Sequence, residues 1–179
     1  IPSEARAQSP QAGRKRLSRL YWVFWAMMFL GMATEWSVSF WTPEFLTQVV
    51  GVEATAATAA LSLFWLAFIF GRIAGSLLAR RFQPMTLLLG AAAIVACSFP
   101  VLWMARDATV AFSALFLLSF GLANFFPLIL ALATSAGANN INPATARIAL
   151  AGGAAILIAP QLLGSLGDLI GIGAAFSLV

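Results

Sequence analysis

The sequence predicts an all-α integral membrane protein, a polytopic helical bundle, and three observations carry that prediction. Of 179 residues, 61% are hydrophobic and only 9% are charged. A soluble domain is roughly half apolar and about a quarter charged, so a soluble globule could not cover its surface with so few charges. Charged side chains are absent from 54–71, 82–105, 108–146 and 148–167, and a spanning helix needs about 20 mostly apolar residues. Finally, the few basic residues fall at alternate turns, as a membrane topology requires.

Residues 1–19 carry Arg6, Arg14, Lys15, Arg16 and Arg19 and read as a basic linker on the cytoplasmic side, which places the residue 1 end inside. The first span covers about 20–47, one long helix interrupted near its middle by Glu35. A signal peptide over 14–34 is the rival for its first half, but a chain with four further spans needs none. The turn Gly51-Val52-Glu53 has no Lys or Arg and is expected outside. The second span runs about 56–79 and ends at Arg80-Arg81, inside. The third begins after Pro84 and ends near Met104, so Arg106-Asp107 lies outside. The charge-free run 108–146 is too long for one helix and too short for two with a loop between them. Its end, Ser135 to Pro143, is a turn-forming cluster, so one span is placed at 108–134 and the next at 144–166, with Pro143 at a helix start, where its missing N–H costs nothing. Arg147 then lies inside and Asp168 outside. A sixth segment, 169–179, is too short to cross a bilayer at about 1.5 Å per residue. The chain also starts without Met, so an excerpt of a longer protein is expected.

This charge distribution changes the meaning of the formal +4. Nine of the ten basic residues lie at or near the inner face and only Arg106 outside. The excess is a topology signal, and nucleic acid is excluded as a partner. Zero His and a single Cys, Cys97, leave no His-ligated metal site, Ser-His-Asp triad or disulfide framework. No cofactor is called for.

Glu35 is the sharpest functional candidate. An ionisable group deep in a span is expensive and normally faces a cavity, a partner or a pathway. Burial disfavours the charged form of a carboxyl, the property a proton carrier uses. Helical spacing puts Met28, Met32, Glu35, Ser39 and Thr42 on one face, expected to line a cavity. Trp25, Phe29, Trp36 and Phe40 lie beside or opposite it, expected to meet lipid. The plain alternative is a structural pairing of Glu35 with Arg72 or another helix. Trp36 and Trp41 are candidates for stacking on a sugar ring, although Trp41 also suits an interfacial anchor. Asn124 offers two donors and an acceptor to a hydroxyl-bearing ligand, or to a neighbouring helix, where such contacts average about 0.6 kcal/mol. Pro127 and Pro160 each leave a carbonyl unpaired and permit bending, whether for gating or as simple kinks. Gly71 and Gly75, with Ala79 following, let two helices approach closely. Arg72, about 12 Å along the helix from Arg80, can snorkel to the inner surface. Arg80 and Arg81 also serve as plain anchors.

Gly71-Arg72-x-x-Gly75-x-x-x-x-Arg80-Arg81 resembles the loop signature of the major facilitator superfamily, in its second copy between helices eight and nine. Ala79 stands where the family usually has Asp. Glu35-Trp36 followed by Trp41-x-Pro43-x-Phe45-Leu46 is similar to the seventh helix, especially in sugar-permease-like branches. Gly121-x-x-Asn124-Phe125-Phe126-Pro127 resembles the tenth helix. Ala159-Pro160-x-x-x-Gly164-x-x-Gly167-Asp168-x-x-Gly171 is similar to the end of the eleventh and its outer turn. The resemblance covers nearly the whole chain and implies the second half of a twelve-helix major facilitator fold with the last helix truncated. It also implies an inner gate at Arg72, with Arg80, Arg81 and Arg147 holding the cytoplasmic side closed. Such transporters bind substrate near the midplane between two related halves and rock them alternately.

The expected function is secondary active transport of a small solute, a sugar or other organic molecule, across the cytoplasmic or plasma membrane, with proton coupling through Glu35. The implied partners are the lipid bilayer, the substrate, protons and the N-terminal half of the same transporter. Efflux of drugs or metabolites is the rival within the superfamily, kept open by 15 Phe and 6 Trp. A membrane enzyme would need clustered His, Asp or Glu, which six scattered acids do not supply. A scaffold would need larger loops than these.

Overall fold

A computed structural model describes residues 17–137 and 141–179, and everything there is helix or short turn. The basic residues Arg6, Arg14, Lys15 and Arg16, and Asn139 and Asn140 of the expected turn, lie outside the described residues. Helix α1 (Arg19–Phe45) continues through a π-helical turn at Leu46–Val50 and stops at Gly51, whose φ of 79° lies in the left-handed region. Next come α2 (Ala54–Leu78), α3 (Pro84–Met104), α4 (Ala108–Leu122), α5 (Phe125–Ala136), α6 (Ile141–Ile170) and the short α7 (Ile172–Phe176). Among the described residues, five stretches are long and apolar enough to cross a membrane: 19–50, 54–78, 84–104, 108–136 and 142–170.

Local chemistry explains the helix starts. Ser18 accepts a hydrogen bond from the Tyr21 N–H at 3.1 Å and opens α1. Asp107 accepts from Thr109 and Val110 N–H at 2.9 and 3.2 Å and opens α4. Glu53 caps α2, accepting from the Thr55 hydroxyl and, at 3.2 Å, its N–H. Those bonds hold the exposed Glu53 carboxyl below the usual carboxylate range. The preference is for the ionised form, so this cap is complete above the ordinary glutamate range and is lost as pH falls through the lowered value.

The stretch expected as a single span over 108–134 is two helices. The break falls at Ala123–Asn124, and its cause sits four residues on. Pro127 has no N–H to give the Ala123 carbonyl, and its ring crowds that carbonyl. The ladder stops at Ala123 N–H to Ser119 O and restarts with Leu128 N–H to Asn124 O. Pro160, by contrast, lies inside an uninterrupted α6.

Beside an extensive α3–α4 contact, two hydrogen-bonded seams run through the bundle. In the first, α1 lies along α6, and aromatic donors stitch it. Tyr21 donates its hydroxyl to Ala144 O at 2.8 Å, Trp25 its indole N–H to Arg147 O at 3.1 Å, and Trp41 its indole N–H to Pro160 O at 2.8 Å. In the second, α2 packs on α4, and Ser119 donates to Phe64 O at 2.5 Å while Asn124 donates to Gly71 O at 2.8 Å. Large apolar side chains such as Leu30, Ile69, Leu89, Leu157 and Leu169 point outward, as they must where the surrounding solvent is lipid rather than water. Interhelical hydrogen bonds in membranes are individually modest. Trp41→Phe is therefore expected to lower the melting temperature of the detergent-solubilised protein by only about 1–3 °C, readable by intrinsic fluorescence.

Candidate substrate and coupling site

The polar stripe of α1 does not line an open cavity. Met28, Met32, Glu35, Ser39 and Thr42 are all buried, with Glu35 only 5% exposed, which corrects the sequence expectation for that face. The physical reason is helix pairing: Met28 and Met32 close over Gly152 of α6, and both join a cluster with Ile129 and Ile148. The hydroxyls are satisfied at home, Ser39 donating to Trp36 O at 3.1 Å and Thr42 to Val38 O at 2.6 Å.

Glu35 differs from these neighbours. Its Oε2 is enclosed and has no hydrogen-bond partner among the described residues. Across the α1–α2 contact lies Arg72, linked to Trp36 beside Glu35 through the rings of Phe68 and Trp65. Arg72 is itself half-buried, its guanidinium carbon 5.0 Å from the centre of the Phe68 ring, where the ring's negative face attracts the cation.

Around this acid and base the α1–α2 contact is aromatic. Trp36 meets Trp65 edge-on, ring centres 6.3 Å apart, and Phe40 at 5.9 Å. Trp65 in turn meets Phe64 at 5.2 Å and Phe68 at 5.4 Å. Trp65 is 40% exposed and Phe40 60%, so the cluster opens at the bundle surface. The tryptophans divide by what their N–H groups do. Those of Trp25, Trp41 and Trp103 each donate to a carbonyl on another helix. Those of Trp22, Trp36 and Trp65 have no acceptor among the described residues; Trp22 lies exposed near the start of α1, whereas Trp36 and Trp65 set two donors beside two flat apolar surfaces. The ring of Trp41, offered by the sequence for stacking, is instead packed on Gly164. Trp65 and Phe68 escaped the sequence reading because they sit in an uninterrupted apolar run. Their spacing to Arg72, seven and four residues, was the available sign that all three share a helix face.

Asn124 lies at the α4–α5 break rather than within a regular helix. Its amide is seated in the notch of α2, with Nδ2 on the Gly71 carbonyl and Oδ1 against Gly75. Gly71 itself faces the Phe120 carbonyl and the Ala123 methyl. The small-residue face of α2 is thus filled by the broken helix, and Arg72 is held one residue from that contact. Arg80 and Arg81 lie exposed in the turn after α2, and Arg147 is half-buried near the start of α6. The helix order puts all three at the bundle end where α1 begins. Pro127 sits at the start of α5, and Pro160 is buried with its carbonyl capped by Trp41. The structure therefore brings Glu35, Trp36 and Arg72 into one neighbourhood and Gly71, Gly75 and Asn124 into an adjoining seam. Ser39 stays on the Glu35 face, and Arg80, Arg81 and Arg147 stand apart.

A bundle of membrane-length helices joined by short turns is the architecture of a polytopic membrane protein. The sequence pattern of the Major Facilitator Superfamily matches residues 2–160. The chain belongs to that superfamily and is a multi-pass membrane transporter. A comparison with curated proteins returns no match.

Proposed function

We propose that the chain supplies the second half of a secondary transporter that carries a small organic solute through the cytoplasmic or plasma membrane by alternating access. Its residue 1 end faces the cytoplasm, and the rest of the cavity comes from an N-terminal half. One observation carries the reading: a carboxyl, Glu35, enclosed in mid-helix without a hydrogen-bond partner. Burying such a group costs free energy that a purely structural helix would avoid. In this reading Glu35 takes and releases a proton, with Arg72 as the charge that senses the change. Trp36 and Trp65 form the solute platform, their rings covering an apolar ring face and their N–H groups reaching its hydroxyls. Ser39 and Asn124 are secondary polar candidates. Gly71, Arg72 and Gly75 lead to an inner gate completed by Arg80, Arg81 and Arg147, and Pro127 and Pro160 are its bending points.

The test is counterflow of a radiolabelled hexose and polyol panel into proteoliposomes holding the intact transporter. Trp36→Ala and Trp65→Ala are each expected to raise the half-saturation concentration roughly tenfold, about 1.4 kcal/mol. The half-exposed aromatic rings of Trp65 and Phe40 also fit an efflux protein with a large apolar substrate. Saturable movement of lipophilic drugs, with no counterflow of any sugar or polyol, would favour that second reading and remove the first.

A further inference from the structure

A groove of about 680 Å³ runs between α3 and α4, away from the Glu35 cluster. Ala93, Cys97 and Val101 line one wall and Thr109, Ser113 and Leu117 the other. Small side chains leave the space, and the larger Val101 and Leu117 bound it. The lining spans 93–101 on one helix and 109–117 on the other, about 12 Å of rise each, which is most of one hydrocarbon leaflet of a membrane about 30 Å thick. Its volume falls within the roughly 300–1,000 Å³ of small-molecule sites.

What the groove receives is indicated at its mouth. Val101 and Val110 also line a second cavity, of about 460 Å³, whose far wall is Arg106 and Asp107. The two spaces thus adjoin across these shared valines. Asp107 turns its Oδ1 to the first N–H groups of α4, whereas Arg106 bonds only nearby carbonyls, Ala105 O at 2.9 Å and Trp103 O at 3.5 Å. Most of the guanidinium's five donors therefore stay available. Among the described residues, Arg106 is the lone Lys or Arg at the bundle end opposite Arg19, Arg80, Arg81 and Arg147. Trp103 stands beside it, half-exposed, at the depth where aromatic residues meet headgroups.

We propose that this groove is a binding site for an anionic phospholipid, one acyl chain lying between α3 and α4 and the phosphate resting on Arg106. A cation at one end of a largely apolar, uncharged groove complements that ligand and no neutral hydrocarbon. Arginine also fits phosphate oxygens bidentately.

The experiment places the intact transporter in nanodiscs with trace diazirine-acyl phosphatidylglycerol or the matching phosphatidylcholine, irradiates, and maps the adducts by mass spectrometry. Phosphatidylglycerol adducts are expected to concentrate on residues 93–117, at least fivefold above phosphatidylcholine. Arg106→Gln is expected to erase that preference while the weaker choline-lipid labelling persists. Ser113→Phe, an exposed position that fills the groove, is expected to remove the adducts of both lipids there. Equal labelling by the two lipids, unchanged preference in Arg106→Gln, or adducts spread evenly over all outward helix faces would each overturn the site and leave only annular lipid.

Discussion

Replacing Gly71 by valine is expected to prevent the α2–α4 seam from forming and to leave little monodisperse protein. A Cβ at Gly71 would sit 2.5 Å from the Phe120 carbonyl oxygen and 2.8 Å from the Ala123 methyl. The nearer atom is backbone and cannot rotate aside, so either α2 or α4 must move. Overpacking of this kind costs about 1–3 kcal/mol and more where backbone shifts, roughly 6 °C or more in melting temperature at about 3 kcal/mol. Gly75 presents a milder case, because the atoms a Cβ would meet belong to the Asn124 amide. That side chain can swing out, surrendering its bond to Gly71 O. Gly75→Ala should therefore be partly rescued by Asn124→Ala, a coupling that a double-mutant cycle measures directly. Gly153 is the control, having nothing within 4 Å of an added Cβ, and Gly153→Ala should be neutral or slightly stabilising. Equal thermal stability of Gly71→Val and Gly153→Ala would refute the close seam.

The second large effect concerns Glu35 and has opposite signs for stability and function. An enclosed carboxyl oxygen without a partner costs about 1–3 kcal/mol, and apolar replacements of buried ionic groups are often neutral or stabilising. Glu35→Met, close in length and apolar, is expected to raise the melting temperature of the intact transporter by several degrees while proton-driven accumulation disappears. Strain or cost retained at a functional position is commonly released by mutation in this way. A fall in stability would show that Glu35 holds a structural partner elsewhere in the protein, and the coupling role would fail with it.

How much of this was legible beforehand follows from what each signal reports. The spans around Gly51–Glu53, Arg80–Arg81 and Arg106–Asp107 could be placed because charge and turn residues end an apolar run wherever the helix leaves the membrane. The break at Ala123–Asn124 was hidden in a run with no charge. Pro127 marked the place, but Pro160 carries the same local signal and its helix continues, so neighbours decide the outcome. The family pattern was readable from glycines and arginines because their spacing reflects close backbone approach, and Gly71 and Gly75 do receive α4 and Asn124. That the Glu35 stripe would border an open cavity was misread for a different reason. Periodicity separates the Met28–Thr42 face from the Trp36–Phe40 face, yet in a membrane protein both lipid and bundle interior are apolar. Whether the inward face borders a cavity or a packed helix depends on partners such as Gly152 and Ile148, far off in sequence. Trp65 and Phe68 stayed invisible because aromatic residues within an apolar run look like lipid-facing surface until Arg72 and Trp36 are set beside them.

The central claim, that Glu35 couples solute movement to protons, is most directly tested in proteoliposomes of the intact protein loaded with a pH-sensitive dye. An imposed proton gradient should drive accumulation of a transported solute in the wild type. In Glu35→Gln that accumulation should be lost, together with solute-induced proton entry, while gradient-independent counterflow continues and Glu35→Asp retains partial coupling. Full accumulation and an unchanged proton signal in Glu35→Gln would contradict it.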